Sequence, residues 1–366
     1  MKRISLLLFT GIFLLFIAAG VLDAATIIVN RPTSSNVTVD GLLKAAWEDN
    51  IEKSDSYKKA ISTLSKFENQ TDLARGFANA NAYSSHAGTI QGYQNYDLFF
   101  VSIGVMGGLQ APSGDADYYN KDTIEDDLEA DGDVHAGVAL GVAINAGIHA
   151  KFIAYGLYLT GIFGRVDIGE EQDDYTFEST TIGGRINYAL IQTHGILLGF
   201  LKWRGLSIGT GFIYQKAEAS MVYEFDPISQ SFSGGGVTGT MTVDPSARFK
   251  FETTTYTVPV DIVTSFQLLW LLNLTAGAGV DFVFGHTDLT LTTGGSVNTQ
   301  INSGSANINP GSITITGETD DVSPDRVRPK IMAGLGLQLG PVKIDMPVIY
   351  YPSAGAAIGL TAAFVW

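Results

Sequence analysis

From Ala356 to Trp366 the chain alternates with a period of two. Trp366, Phe364, Ala362, Leu360, Ile358 and Ala356 fall on one face, and Val365, Ala363, Thr361, Gly359 and Ala357 on the other. That period belongs to a strand, whose successive side chains point to opposite sides. The contrast between the two faces is what constrains the fold: one is bulky and apolar, the other small. It recurs in Val138, Leu140, Val142 and Ile144 against Gly137, Ala139, Gly141, Ala143 and Asn145. It recurs again in Leu274, Ala276, Ala278, Val280, Phe282 and Phe284 against Thr275, Gly277, Gly279 and Asp281. A soluble antiparallel sheet would carry Lys, Glu and Arg on its second face. Gly, Ala and Thr fit there when the apolar side meets lipid and the small side lines a lumen.

Strands of this kind are expected near 97–110, 134–147, 151–169, 179–200, 205–225, 247–266, 272–293, 327–338, 342–350 and 355–366. The links between them alternate in length. Residues 111–133, 170–178, 226–246 and 294–326 are long, while 148–150, 201–204, 267–271 and 339–341 are short. Sorting by length is expected when one rim carries tight periplasmic turns and the other carries outside loops. The fold class expected is therefore all-β: a transmembrane antiparallel up-and-down β-barrel of about 10–14 strands over residues 97–366. Phe152, Phe200, Trp203, Phe266, Trp270 and Trp366 gather at the short-turn end, as an interfacial aromatic girdle would.

Charge follows the same division. The formal net charge is −15 in a chain that is 45% hydrophobic. Half of the acids beyond residue 24 fall in the links 114–133, 170–178 and 294–326, all on the expected outside. No basic stripe offers a nucleic-acid surface. The chain has no Cys, so neither a disulfide nor an acylated lipoprotein anchor is expected.

Ahead of the strands, Lys2 and Arg3 precede an apolar run from Ile4 to about Val21, followed by Leu22-Asp23-Ala24-Ala25. This reads as a signal peptide over 1–24 with cleavage near Ala24. Residues 25–96 read as a mainly helical segment that plugs the lumen or lies in the periplasm. Thr38-Val39-Asp40-Gly41 is a turn signal leading into a helical pattern through Leu43, Trp47, Ile51, Tyr57, Ala60, Ile61 and Leu64. Leu73 to Tyr83 is dense in small residues that permit close packing.

An exported, Cys-free chain ending in an alternating strand with Phe364-Val365-Trp366 resembles bacterial outer-membrane β-barrel proteins, whose assembly signal is such a strand. The resemblance implies the outer membrane as location, its lipid and the barrel-assembly machinery as partners, and Phe364 and Trp366 as the assembly signal. The small-residue stretch before the first strand is distantly similar to FadL-type transporters of hydrophobic compounds, whose amino-terminal segment is a hatch in the lumen. In composition the chain also resembles spirochaete surface barrels, some of them described as adhesins for host matrix protein.

Phase counted from the apolar faces turns Arg185, Asn187, Asp261, Asp281, Lys330, Gln338, Lys343 and Asp345 inward. Charges there either pair across the lumen and with the plug, or line a path for a solute. Ten to twelve strands make an interior too narrow for an open porin channel. No catalytic constellation stands out. Gly205-Leu206-Ser207-Ile208-Gly209 has the nucleophile-elbow spacing but lacks the expected strand-to-helix turn. His86, His135, His149, His194 and His286 are scattered. The acidic link 114–133 lacks the spacing of a calcium loop. No enzyme activity, cofactor or metal is expected. The first expectation of function is a transport channel for small or hydrophobic solutes, with a hydrophobic small molecule as partner. The alternative is a surface adhesin or structural barrel acting through its acidic outside loops.

Overall fold

The structure, a computed structural model, describes residues 26–48, 71–89, 96–111, 136–169, 175–197, 200–224, 227–234, 237–303, 307–352 and 354–366. The expected signal peptide, the helical pattern at 51–64 and the acidic link 114–133 lie outside the described residues. An amino-terminal arm comes first, with β1 (Thr26–Asn30), β2 (Thr33–Ser34) and α1 (Val37–Trp47), followed by α2 (Thr71–Ser84). Then come β3 (Phe99–Gln110), β4 (Gly137–His149), β5 (Leu157–Ile168), β6 (Tyr175–Ile191), β7 (His194–Leu197) and β8 (Leu201–Glu224). Next are β9 (Ile228–Gly234), β10 (Val237–Leu268), β11 (Leu272–Ser303), β12 (Ile308–Asn309) and β13 (Gly311–Val322). The chain ends with β14 (Val327–Leu339), β15 (Val342–Tyr351) and β16 (Gly355–Val365).

Ten of these close into a ring. In order around it stand β3, β4, β5, β6, β8, β10, β11, β14, β15 and β16, each antiparallel to the next, and β16 returns to β3. Closure removes the unpaired edges that an open sheet would expose. It is sealed at the terminus, where the carbonyl of Trp366 accepts from the amides of Asp97 at 3.0 Å and Leu98 at 2.6 Å. The alternation in the sequence is the alternation in the wall. Ile358, Leu360 and Phe364 are exposed on the outside, while Ala357, Thr361 and Ala363 are buried. Ile103 and Val105 on β3, Ile144 on β4, Ile182 and Ile186 on β6, and Ile331 and Leu335 on β14 continue the outer apolar band. So large an exposed apolar surface is untenable in water and needs an apolar neighbour.

The ring strands match the ten expected, with shifted ends. The turn expected at 201–204 is already strand, because β8 starts at Leu201 and the reversal lies before it. The link expected over 170–178 ends earlier, since β6 begins at Tyr175. The larger correction concerns 226–246 and 294–326, which are not free loops. Both β10 and β11 are 32 residues long and run past the ring. There β9 flanks β10 while β13 flanks β11, and β1 adds to β13 with Thr26 opposite Thr316. The order β9-β10-β11-β13-β1 makes a lobe at the long-link end. Its interior joins Val39, Leu43 and Trp47 of α1 to Val243, Val297, Ile313 and Ile315.

Local sequence explains the arm. Asn36 caps α1, its side chain accepting from the amides of Thr38 at 3.1 Å and Val39 at 3.3 Å. Residues Thr38 to Gly41, expected as a turn, therefore form the first helical turns. Val39, Leu43 and Trp47 then fall four apart and bury one stripe. At the opposite end, the β10–β11 reversal holds Leu269 and Trp270 at positive φ, 52° and 60°. That conformation is uncommon for such residues, and here it leaves the Trp270 indole exposed at the short-turn rim.

Candidate functional site

The lumen is occupied by α2. Leu73, Ala74, Phe77, Ala78, Asn79, Ala80, Asn81, Ala82, Tyr83 and Ser84 are all buried, so the helix is covered on every side from Gly76 to Ser84. Alanines supply helix propensity without bulk, which suits a cylinder inside a ten-stranded ring. The wall receives it through glycine. A Cβ on Gly108 would collide with the carbonyl of Ala80, one on Gly141 with that of Ser84, and one on Gly137 with the backbone of Gly76. Polar side chains on α2 are matched to partners. The Asn81 amide donates to Thr255 Oγ1 at 2.9 Å, and Gln215 donates to Ser84 Oγ at 2.9 Å. Asn79 donates to Asp325 at 3.1 Å and accepts from its amide at 3.0 Å. Tyr83 stacks on Tyr351 with centroids 3.8 Å apart, and Phe77 stacks on Phe251 at 4.6 Å.

Just beyond the helix, His86 enters a cluster of four wall charges. Arg185 on β6 is ion-paired with Asp261 on β10. Lys330 on β14 reaches Asp261 at 2.8 Å and Asp281 on β11 at 2.6 Å. Asp281 also accepts from Tyr351 Oη at 2.9 Å and lies 3.3 Å from His86 Nε2. Arg185 and Lys330 each approach a ring nitrogen of His86 at 3.4 Å. None of the four wall charges exceeds 4% exposure, so solvent screening is slight. Two cations balance two anions, which is the condition under which buried charges are tolerated. The four lie across the lumen from residues far apart in sequence, and the plug supplies the group at their centre.

The eight inward candidates thus divide. Arg185, Asp261, Asp281 and Lys330 come together. Lys343 and Asp345 form a separate buried pair at 2.8 Å, nearer the short-turn rim. Gln338 meets Gln267 at 3.1 Å at that rim and donates to the Gly340 carbonyl at 3.3 Å. Asn187 is buried and leans across Gly209, with no charged partner in contact among the described residues. Phe364 and Trp366 stack on the outer face at 6.4 Å. The sequence shows His86 only as one of five scattered histidines and gives no sign of Tyr351, Asn81 and Gln215. The available signal was Ser84-Ser85-His86, a titratable residue closing a run of small ones. Ser207 lies inside β8 and its hydroxyl donates to the Val263 carbonyl at 3.3 Å, so the elbow spacing sits in continuous strand.

With this geometry in place, comparison with known proteins gives one family and several distant folds. The chain belongs to the Lsa36-like family, whose profile matches residues 33–366. No curated protein matches the sequence. Among solved structures it is distantly similar to the translocator domain of autotransporter NalP from Neisseria meningitidis, at 11% identity over 74% of this chain and 88% of that one, with a TM-score of 0.26. It is similar to the CymD monoaromatic hydrocarbon channel at 7% identity, 75% and 90% coverage and a TM-score of 0.25. A FadL homologue of Pseudomonas aeruginosa gives 10% identity, 79% and 98% coverage and a TM-score of 0.24. All are outer-membrane-type barrels, and the assignment of the fold here rests on the closed ring itself.

Proposed function

We propose that this Lsa36-like barrel sits in the outer membrane with its long links outward, keeps its lumen closed with its own helix, and acts as a surface-exposed binding protein. The observation that carries this reading is the burial of α2 from Gly76 to Ser84 inside the ring. A lumen whose charges are engaged by a plug offers little to a passing solute, while the long-link end is elaborated instead. There the lobe is built, packed and edged with Asp244, Asp288, Glu318, Asp320 and Asp321. An acidic outward surface favours basic partners, such as basic patches of host matrix proteins, and disfavours anionic ones.

Planar-bilayer recording tests it together with a binding assay. The full chain is expected to give no resolved conductance steps, and a variant lacking residues 71–89 is expected to conduct. Binding to immobilised matrix glycoproteins should fall when the β9 hairpin, residues 227–235, is replaced by a short Gly-Ser turn. Stepwise conductance from the full chain, with binding unchanged by the hairpin replacement, would overturn the reading.

One observation favours a second reading, transport of apolar solutes. β4 pairs with β5 at only six positions, Ile144 to His149, whereas β3–β4 and β5–β6 each pair at twelve. The wall beside Val138 and Val166 is therefore unladdered, and both side chains pack against the apolar cluster that the plug, the wall and the lobe share. Uptake of an apolar dye by barrel-containing vesicles, blocked by bridging β4 to β5, would favour this reading.

A further inference from the structure

Landmarks along the plug descend in chain order from one rim to the other. Gly76 lies against Ala136 and Gly137, at the long-link mouth of β4. Ser84 lies against Gly108 and Gly141, deeper in the ring, and Gly88 against Gly104 and Ala143, deeper again. Tyr96 packs on Phe100 and Tyr158 at centroid distances of 4.8 and 5.2 Å, at the short-turn end. The next amide, Asp97, donates to the Trp366 carbonyl on that same rim. At about 1.5 Å per residue, the 14 residues of α2 span roughly 21 Å. An outer-membrane barrel has an apolar band about 25 Å tall.

The other end of this segment is fixed just as firmly. β1 pairs with β13, from Thr26 opposite Thr316 to Asn30 opposite Ser312, and Ser312 in turn faces Ser296 on β11, beyond the ring. Arg31 holds Asp40 at 2.8 Å, tying the strand to α1. A plug that entered from the short-turn side as a hairpin would return its amino end to that side. Here the amino end is built into the lobe at the far side.

We propose that the barrel carries its own amino-terminal segment through its lumen and displays it at the long-link surface, so that residues 26–47 are an exterior element. The proposal rests on the membrane orientation proposed above. The anchors are placed to make threading permanent. The arm is paired into the lobe above, the glycine contacts and the His86 cluster grip the middle, and the β16–β3 ladder closes the wall around it.

The absence of Cys makes the test direct, since single cysteines can be placed in an otherwise unreactive chain. Ile28→Cys reports the arm, Tyr223→Cys the long-link end of β8, and Phe152→Cys the short-turn rim; the native side chains are 52%, 46% and 80% exposed. Intact cells are treated with a membrane-impermeant maleimide before and after permeabilising the outer membrane. The expected result is labelling of Ile28→Cys and Tyr223→Cys on intact cells, and of Phe152→Cys only after permeabilisation. Labelling of Tyr223→Cys with Ile28→Cys silent until permeabilisation overturns the threading and leaves the orientation standing. Phe152→Cys labelled on intact cells with Tyr223→Cys silent overturns the orientation and the threading together. If Ile28→Cys fails to accumulate, Val37→Cys takes its place, since the native side chain is 86% exposed at the start of α1. Its labelling on intact cells supports the threading, and its silence until permeabilisation overturns it.

Discussion

Lys330→Met isolates what the lumen cluster does. In the parent, Lys330 is shared by Asp261 at 2.8 Å and Asp281 at 2.6 Å, while Arg185 engages Asp261. Removing the lysine charge leaves two carboxylates, each at most 2% exposed, with one cation between them. Breaking a buried ion pair from one side costs about 3–5 kcal/mol, because the abandoned charge keeps its desolvation penalty. At about 1.4 kcal/mol per factor of ten, that is roughly a hundred- to several-thousand-fold in the folding equilibrium. Asp281→Leu is expected to cost a similar amount, since it leaves Lys330 and Arg185 sharing the single carboxylate of Asp261 and removes an acceptor from Tyr351 and a partner from His86. The combined variant returns the lumen to one balanced pair, Arg185 with Asp261. It should therefore be less destabilised than the two single costs added, by a coupling of about 0.5–3 kcal/mol. Urea unfolding of the refolded barrel in detergent micelles, followed by tryptophan fluorescence, measures all three. Single variants within about 0.5 kcal/mol of the parent, or a double variant whose cost equals the sum, would refute the claim that these charges act as one cluster.

Two further outcomes follow from other parts of the molecule. Gly108→Val should displace the plug without touching its charges, because a side chain there meets the Ala80 carbonyl; conductance steps in a planar bilayer are expected, and a barrel as silent as the parent would count against close packing as the seal. Asp40 accepts from Arg31 at 2.8 and 2.9 Å, and this contact, helped by the amide of Ser34, holds its carboxyl down to about 2. A depressed carboxyl contributes fully above its ordinary range and loses the contribution progressively as pH falls from that range through the depressed value. Pepsin should therefore spare the arm at pH 4 and cut it near pH 2, and equal cutting at both values would exclude this contact as the tether.

The ring was legible because its apolar outer face and its lumen impose opposite demands on adjacent residues. Ile358, Leu360 and Phe364 answer one and Ala357, Gly359 and Thr361 the other, so strand, face and phase can all be read together. That phase alone turned Arg185, Asp261, Asp281 and Lys330 inward. The lobe was illegible for the same physical reason. Where β10 and β11 leave the ring, at Thr238 to Asp244 and Ser296 to Ser303, the outer face meets water and becomes Thr, Ser, Asn and Gln, while the apolar residues, Met241, Val243 and Val297, move to the inner face. The contrast that marked the ring strands, apolar outside and small inside, is inverted there while the pairing continues. His86 was missed because its partners lie 99 to 244 residues away in sequence. A local pattern carries no trace of them, whereas a helix cap such as Asn36 is decided within three residues.

The uninterrupted strands have a mechanical consequence. β10 and β11 stay paired from Leu268 opposite Leu272 at one rim to Thr238 opposite Ser303 in the lobe. At about 3.3 Å per residue the 32-residue strands are roughly 100 Å long. No hinge divides the lobe from the wall along this ribbon. A partner that seized the lobe and pulled away from the cell would load the ribbon along its length, and every rung would resist at once in shear. The rungs would not open singly like a zipper. Tension would pass straight into the barrel wall, with no flexible stalk to take up the strain.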